Sequence, residues 1–193
     1  MEKKYKLTEE TINVANRTLY RIKALKDFSD VKKGDKGGFV ENEENLSQSG
    51  DCWVYENAKV YGNAEVYDDA KVYGNAWVFD NAKVFEDAEV YGIAEVCNNA
   101  KVFGNAWVFG NAEICGKAEI ANDLDYIVFK NWWSSGRYFT WTRSNNMWKV
   151  GCFYGTGEQL IEKAYKDSEL SGKEYERVVK YVESMLKDNN AVA

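Results

Sequence analysis

Residues 58–75 read AKVYGN, AEVYDD, AKVYGN, and the same six-residue phrase runs on to Ile120. Alanine opens each of eleven consecutive units from Ala58 to Ala118, and Val or Ile follows two positions later every time, from Val60 to Ile120. So strict a period fixes an architecture before any single residue is interpreted, because each unit buries its apolar side only against its neighbours. In Ala70-Lys71-Val72-Tyr73-Gly74-Asn75, strand alternation sends Ala70 and Val72 to one side and Lys71 and Tyr73 to the other. Gly74-Asn75 supplies a turn, since both residue types tolerate left-handed backbone angles. A short strand plus a tight corner per unit predicts a triangular coil of three units, eighteen residues round, with small Ala and branched Val filling a narrow prism.

This pattern resembles the left-handed parallel β-helix of hexapeptide-repeat proteins, over about residues 39–122, with weaker units upstream at Asn45-Leu46 and Asp51-Cys52-Trp53-Val54. The expected fold is mainly β. An N-terminal cap occupies 1–44, the β-helix rod 45–122 and a small α+β domain 123–193. Sorted by eighteen, the outward residues fall on three faces: Lys59, Trp77, Glu95 and Glu113; Glu65, Lys83, Lys101 and Glu119; Trp53, Lys71, Glu89 and Trp107. Opposite charges such as Lys71 and Glu89 then sit on adjacent rungs, where cross-strand pairs contribute a few tenths of a kcal/mol. A second outward row is aromatic, with Tyr55, Tyr73, Tyr91 and Phe109 on one face. Such rows fit two uses, a ladder of rings that stabilises the rod by itself or burial against further copies. Burial against copies is preferred, because proteins with this repeat commonly pack as trimers. The expected oligomer contacts are Tyr55, Tyr73, Tyr91, Phe109, Trp53 and Trp107.

Composition narrows the classes. The chain has 193 residues, a net charge of −6, no proline and no histidine. The repeat, 45–122, carries five Lys against twelve Asp and Glu, while the segments on either side are close to neutral. That disfavours nonspecific nucleic-acid binding by the rod; it fits a basic partner or simple solubility. No run approaches the ~20 apolar residues of a membrane span. Met1-Glu2-Lys3-Lys4 leads into no apolar signal region, so a cytoplasmic protein is expected. Four cysteines without Cys-x-x-Cys spacing argue against zinc. Cys97 and Cys115 lie one coil apart, within disulfide reach, but free thiols are the expected state in the cytosol. No metal or cofactor is expected.

Upstream, Leu19–Leu25 alternates as a strand with Tyr20, Ile22 and Ala24 on one face, and Lys33–Gly38 reads as a turn into Phe39-Val40. Downstream, Leu124–Lys130 reads as a strand, and Arg137–Thr142 with Met147–Phe153 as a hairpin. Thr156-Gly-Glu-Gln159 and Ser171-Gly-Lys-Glu174 have capping-box form and predict two helices. Between them and the rod lies the aromatic and basic stretch from Asn131 to Arg143. Aromatic faces beside Arg, Ser and Thr suit a base, a sugar or a peptide. Trp132, Trp133, Arg137, Tyr138, Trp141 and Arg143 are therefore the candidate ligand- or partner-binding residues.

The segments Leu19–Leu25, Gly34–Val40 and Gly151–Thr156 resemble hexapeptide-repeat proteins of bacteriophages and prophages. The resemblance implies a phage-encoded protein acting in the cytoplasm of an infected bacterium. Acyl transfer, the familiar activity on such rods, typically employs a histidine base, and this chain has none. The expected function is a non-enzymatic binding or inhibitor protein. It would counter a bacterial defence system by holding a host protein or sequestering a small nucleotide signal. An acyltransferase-like enzyme and a structural or assembly protein are the alternatives. Val84→Asp would place an unpaired carboxylate in the prism and is expected to abolish soluble folding, read as soluble yield and circular dichroism. A stable Val84→Asp protein would mean that the inward and outward positions are shifted by one.

Overall fold

A computed structural model describes residues 2–190, with side chains through residue 187. Three strands come first: β1 (Tyr5–Val14), β2 (Arg17–Ala24) and β3 (Lys36–Val40). Twelve two-residue strands follow, β4 to β15, one per hexapeptide from Trp53–Val54 to Glu119–Ile120. They stack in parallel on three faces with Lys59 beside Trp77, Glu65 beside Lys83 and Lys71 beside Glu89, the eighteen-residue sorting read from the sequence. With β3 and a bridge from Leu46 to Val66 adding early rungs, the β-solenoid makes about five turns. Every repeat alanine from Ala58 to Ala118 is fully buried, and so are the Val and Ile positions apart from a trace at Val66. Transferring such side chains from water contributes ~25 cal/mol per Å² of apolar surface, which is why the prism holds without any long strand.

Each corner has one left-handed residue at the fifth position of its unit. Where glycine is not used there, Glu56, Asp68, Asp80, Glu86 and Asn98 take φ values of 51–61°. Their side chains are placed to offset that strain by accepting the backbone N–H of the next corner. Glu56 accepts from Gly74 at 2.8 Å and Glu86 from Gly104 at 2.7 Å. Asp68 and Asp80 accept from Glu86 and Asn98 at 3.4 and 3.3 Å. Part of the rod's acidity therefore belongs to its own backbone.

Alternate N–H groups of each unit donate to carbonyls of the following coil, as Lys71 does to Ala88 at 2.9 Å, while the groups between them face the coil before. The first coil therefore has carbonyls at its open end with no preceding coil to supply donors. Lys4, only 1% exposed, brings its ammonium to the carbonyls of Ser49, Gly50 and Cys52 at 3.3, 3.1 and 2.9 Å. The buried Tyr5 hydroxyl donates to the Leu46 carbonyl at 2.7 Å. Burial pushes the neighbouring Cys52 thiol up, with the Lys4 charge opposing. At the other end, N–H groups of the last coils have no following coil to accept them. Asp123 accepts from Trp107 N–H and Ser144 from Glu119 N–H, both at 2.8 Å.

Several details differ from the sequence reading. Gly37 and Gly38 lie inside β3 rather than in a turn, because a Cβ there would sit 2.4 Å from the Val54 carbonyl and 2.5 Å from that of Ala58. Leu19, not Tyr20, is buried with Ile22 and Ala24, since β2 carries a register shift between Arg21 and Lys23. Cys97 and Cys115 form a disulfide rather than two thiols, their Cα atoms being held 4.7 Å apart by rung stacking. Lys71 and Glu89 are registered side by side, yet Glu89 takes the Tyr73 hydroxyl, and the ion pairs along the repeat include Lys83–Glu65 and Lys101–Glu119.

The chain forms two compact units, Met1–Ile127 with Thr142–Asn145, and Val128–Trp141 with Asn146–Ala193. Residues 1 and 191–193, the outer ends of the expected cap and C-terminal domain, lie outside the described residues. In the C-terminal sheet the strand order is β16 (Tyr126–Lys130), β17 (Tyr138–Thr142), β18 (Met147–Val150), β19 (Phe153–Gly155). Leu124 falls instead in a single helical turn before β16, capped by Asn122. Helix α1 (Gly157–Asp167) begins at the capping box of Thr156 and Gln159. Helix α2 (Glu169–Asn190) starts before the second expected box. The Ser168 hydroxyl accepts from Ser171 N–H at 3.1 Å, so the cap lies three residues earlier. Gly172 lets α2 close on α1: a Cβ there would meet the Tyr165 ring at 2.2 Å.

Lys4→Met keeps the stem and removes the ammonium, leaving buried carbonyls without their donor. The expected loss is about 3 kcal/mol, read as a lower urea midpoint at unchanged slope. An unchanged midpoint would show that Lys4 does not hold the first coil.

Candidate functional site

The C-terminal unit contains a pocket of about 270 Å³. Three stretches build it. The loop between β16 and β17 gives Asn131, Ser134, Ser135 and Arg137; the turn between β18 and β19 gives Cys152; the helices give Lys163, Asp167, Ser171 and Tyr175. Leu160, Ala164, Val150 and Phe153 form its apolar wall.

Asn131 is the residue that shapes the loop. It is buried, its N–H donates to the Arg137 carbonyl at 2.8 Å, and its side-chain oxygen accepts from Ser134 N–H at 2.9 Å. Its amide nitrogen donates to the Tyr175 hydroxyl at 3.1 Å, which ties the loop to α2. Ser135 Oγ accepts from Arg137 N–H at 3.3 Å and sets the path of the chain into β17. Burial pushes the Tyr175 phenol up; the Asn131 hydrogen bond opposes this, Asp167 adds to it and the Arg137 charge counters it. Both charges therefore act on the same hydroxyl.

The charged groups here are uncommitted. Among the described residues, the side chains of Arg137, Lys163 and Asp167 enter no ion pair and no hydrogen bond. The solenoid offers a contrasting hollow of about 260 Å³ lined by Asp30, Tyr55, Glu56, Lys71, Tyr73 and Glu89. There Tyr55 donates to Asp30 at 2.7 Å, Tyr73 donates to Glu89, and Glu56 holds Gly74 N–H. Its carboxylates are already in use. No cluster of three or more His, Cys, Asp or Glu suited to a metal occurs among the described residues.

Of the six residues singled out from sequence, Arg137 alone lines the pocket. Trp132 is 77% exposed. Trp133 packs edge-on against Tyr175 at 4.9 Å, and its indole N–H is buried without a partner. Tyr138 lies under the Lys130 ammonium, 5.6 Å from the ring centre. Trp141 is 2% exposed, with its indole N–H donating to Asn146. Arg143 is exposed in the turn that belongs to the solenoid unit, its backbone N–H on the Asp125 carbonyl. Lys163 and Asp167 were missed, although a signal existed. They share the stripe of Leu160 and Ala164 at spacing i, i+3, i+4, i+7, so a helix face that should be apolar carries both charges.

Of the six expected oligomer contacts, Trp53 is covered by the chain itself, by Tyr5 at 5.9 Å and Phe28 at 5.4 Å. Tyr55 meets Tyr73 edge-on, while Tyr73, Tyr91 and Phe109 stack face to face along one side of the solenoid. Trp107 and Phe109 remain 49% and 45% exposed.

Comparison with known proteins adds one relative. An Escherichia coli (strain K12) protein described as the uncharacterized acetyltransferase YdcK is 37% identical over 62 residues, covering 28% of this chain. The matched part spans 19% of that protein's length. No protein-family model matches the chain. The repeat, its three-faced solenoid and this local match fit a hexapeptide-repeat β-helix protein. None of the described helices is long and apolar enough to cross a membrane.

Proposed function

We propose that this chain is a non-enzymatic binding protein, with the solenoid as scaffold and the C-terminal unit as the element that holds a ligand. The observation that carries this reading is the pocket at Arg137, Lys163 and Asp167, where charged groups stand without partners on the chain. All three residues are exposed, so water solvates their charges and leaves them available to a ligand. In the solenoid hollow, by contrast, Asp30, Glu56 and Glu89 are already hydrogen-bonded within the chain. A phage-encoded role against a bacterial defence system, in the host cytoplasm, rests on the resemblance of the terminal motifs; the bound species is then a host protein or a small nucleotide signal. Assembly as a homotrimer has support in the exposed Trp107 and Phe109. Sedimentation is expected to give three times the mass of the 22.1 kDa chain, and a monomer at micromolar concentration would remove the trimer.

The second reading is an acyltransferase-like enzyme, favoured by the match to the E. coli acetyltransferase. Against it, the chain contains no histidine to serve as general base. Incubation with acetyl-CoA and a panel of amine and hydroxyl acceptors is expected to release no CoA above background. Turnover near 1 s⁻¹, within the usual enzymatic range, would replace the binding-protein reading with the enzymatic one.

A further inference from the structure

We propose that the pocket of the C-terminal unit binds a small organic phosphate monoester, its phosphoryl group held by Arg137 and Lys163 and its organic part resting on Leu160, Ala164, Val150 and Phe153. This rests on the reading of the C-terminal unit as the binding element, and it names the chemical class that element takes.

The donor count makes the case. The Arg137 guanidinium and the Lys163 ammonium line one pocket and donate to nothing among the described residues. The hydroxyl of Tyr175, itself buried, accepts from Asn131 at 3.1 Å, which leaves its own proton without an acceptor on the chain. Ser135 is in the same position, since its oxygen accepts Arg137 N–H at 3.3 Å. Two cations and the hydroxyls of Tyr175, Ser135 and Ser171 therefore face a space whose one carboxylate is Asp167. A species with several acceptor oxygens and negative charge satisfies that set.

Phosphate satisfies it better than carboxylate. A guanidinium fork takes one site on each oxygen of a carboxylate, leaving about two for Lys163 and the hydroxyls. A phosphate monoester carries about −1.5 to −2 charge at neutral pH and three terminal oxygens. It can take the fork, the ammonium and a hydroxyl together. Asp167 then suits a hydroxyl or amine of the organic part, and it would repel a second phosphate. The volume, about 270 Å³, lies just below the usual range for ligand pockets. A phosphorylated polyol or sugar fits that size, and a dinucleotide does not.

The test is calorimetric titration of the full chain at low ionic strength with inorganic phosphate, glycerol 3-phosphate, glucose 6-phosphate and, as the carboxylate arm, glycerate. Glycerol 3-phosphate or glucose 6-phosphate is expected to bind with Kd below about 1 mM and more tightly than inorganic phosphate or glycerate. Arg137→Gln and Lys163→Gln should each weaken that binding about tenfold, the loss of one charge-assisted hydrogen bond. Asp167→Asn should strengthen binding of inorganic phosphate, and Lys187→Gln, on the far part of α2, should leave every value unchanged. Circular dichroism confirms that each variant is folded. Absence of binding by every phosphate probe overturns the proposal, as do glycerate binding as tightly as the monoesters and unchanged affinity in both Arg137→Gln and Lys163→Gln. Glycerate binding as tightly as the monoesters, and weakened by Arg137→Gln, would sink the phosphate while leaving the binding unit in place. CoA release in the acetyl-CoA assay would remove that unit's assigned role altogether.

Discussion

A stack of parallel rungs must end, and the ends of this fold follow from that. Alternate groups of each coil bond forward and back, so the first coil has groups facing no earlier rung and the last has groups facing no later one. Buried backbone groups left unpaired are costly, and the two ends meet the cost with opposite chemistry. A buried lysine and a tyrosine hydroxyl donate at the beginning. Aspartate and serine oxygens accept at the finish. The segments flanking the repeat are thus shaped by what a stack of parallel rungs leaves undone.

The same economy explains the surface of the solenoid. Acidic residues at the fifth position of a unit relieve a left-handed corner and receive the N–H of the next one. Aromatic rings that alternation sends outward stack on one another from coil to coil or are covered by the N-terminal hairpin. Acidity and aromatic content, which in a sequence read as signs of a partner, are in large part ways in which one coil holds the next. Trp107 and Phe109, near the end of the stack, are the large rings this scheme leaves half in water.

The proposed binding site lies where the repeat stops. In the C-terminal unit, a loop fixed by one buried asparagine and a face shared by two helices bring charged groups together without pairing them. That is the reverse of the solenoid, whose ion pairs and corner hydrogen bonds are satisfied internally. That contrast between the two hollows is what supports the proposed reading as a binding protein. The local likeness to an acetyltransferase concerns a stretch of 62 residues, and a six-residue period serves many chemistries or none.

The hexapeptide phrase alone determined the solenoid, its three faces and the inward rows of Ala and Val, because a period of six leaves side chains no other consistent arrangement. It also supplied α1 through the capping box at Thr156. Tertiary structure decided the rest. The bonding of Cys97 to Cys115 depends on how closely rungs stack, and the fate of Trp53 depends on a hairpin that packs back from far along the chain. Arg137 was legible as a polar group amid aromatics, but Trp141 from the same stretch is core, since alternation in β17 turns it inward. The residues that line the pocket with Arg137 come in part from α1 and α2, and no local pattern reveals which helix face a distant loop will meet.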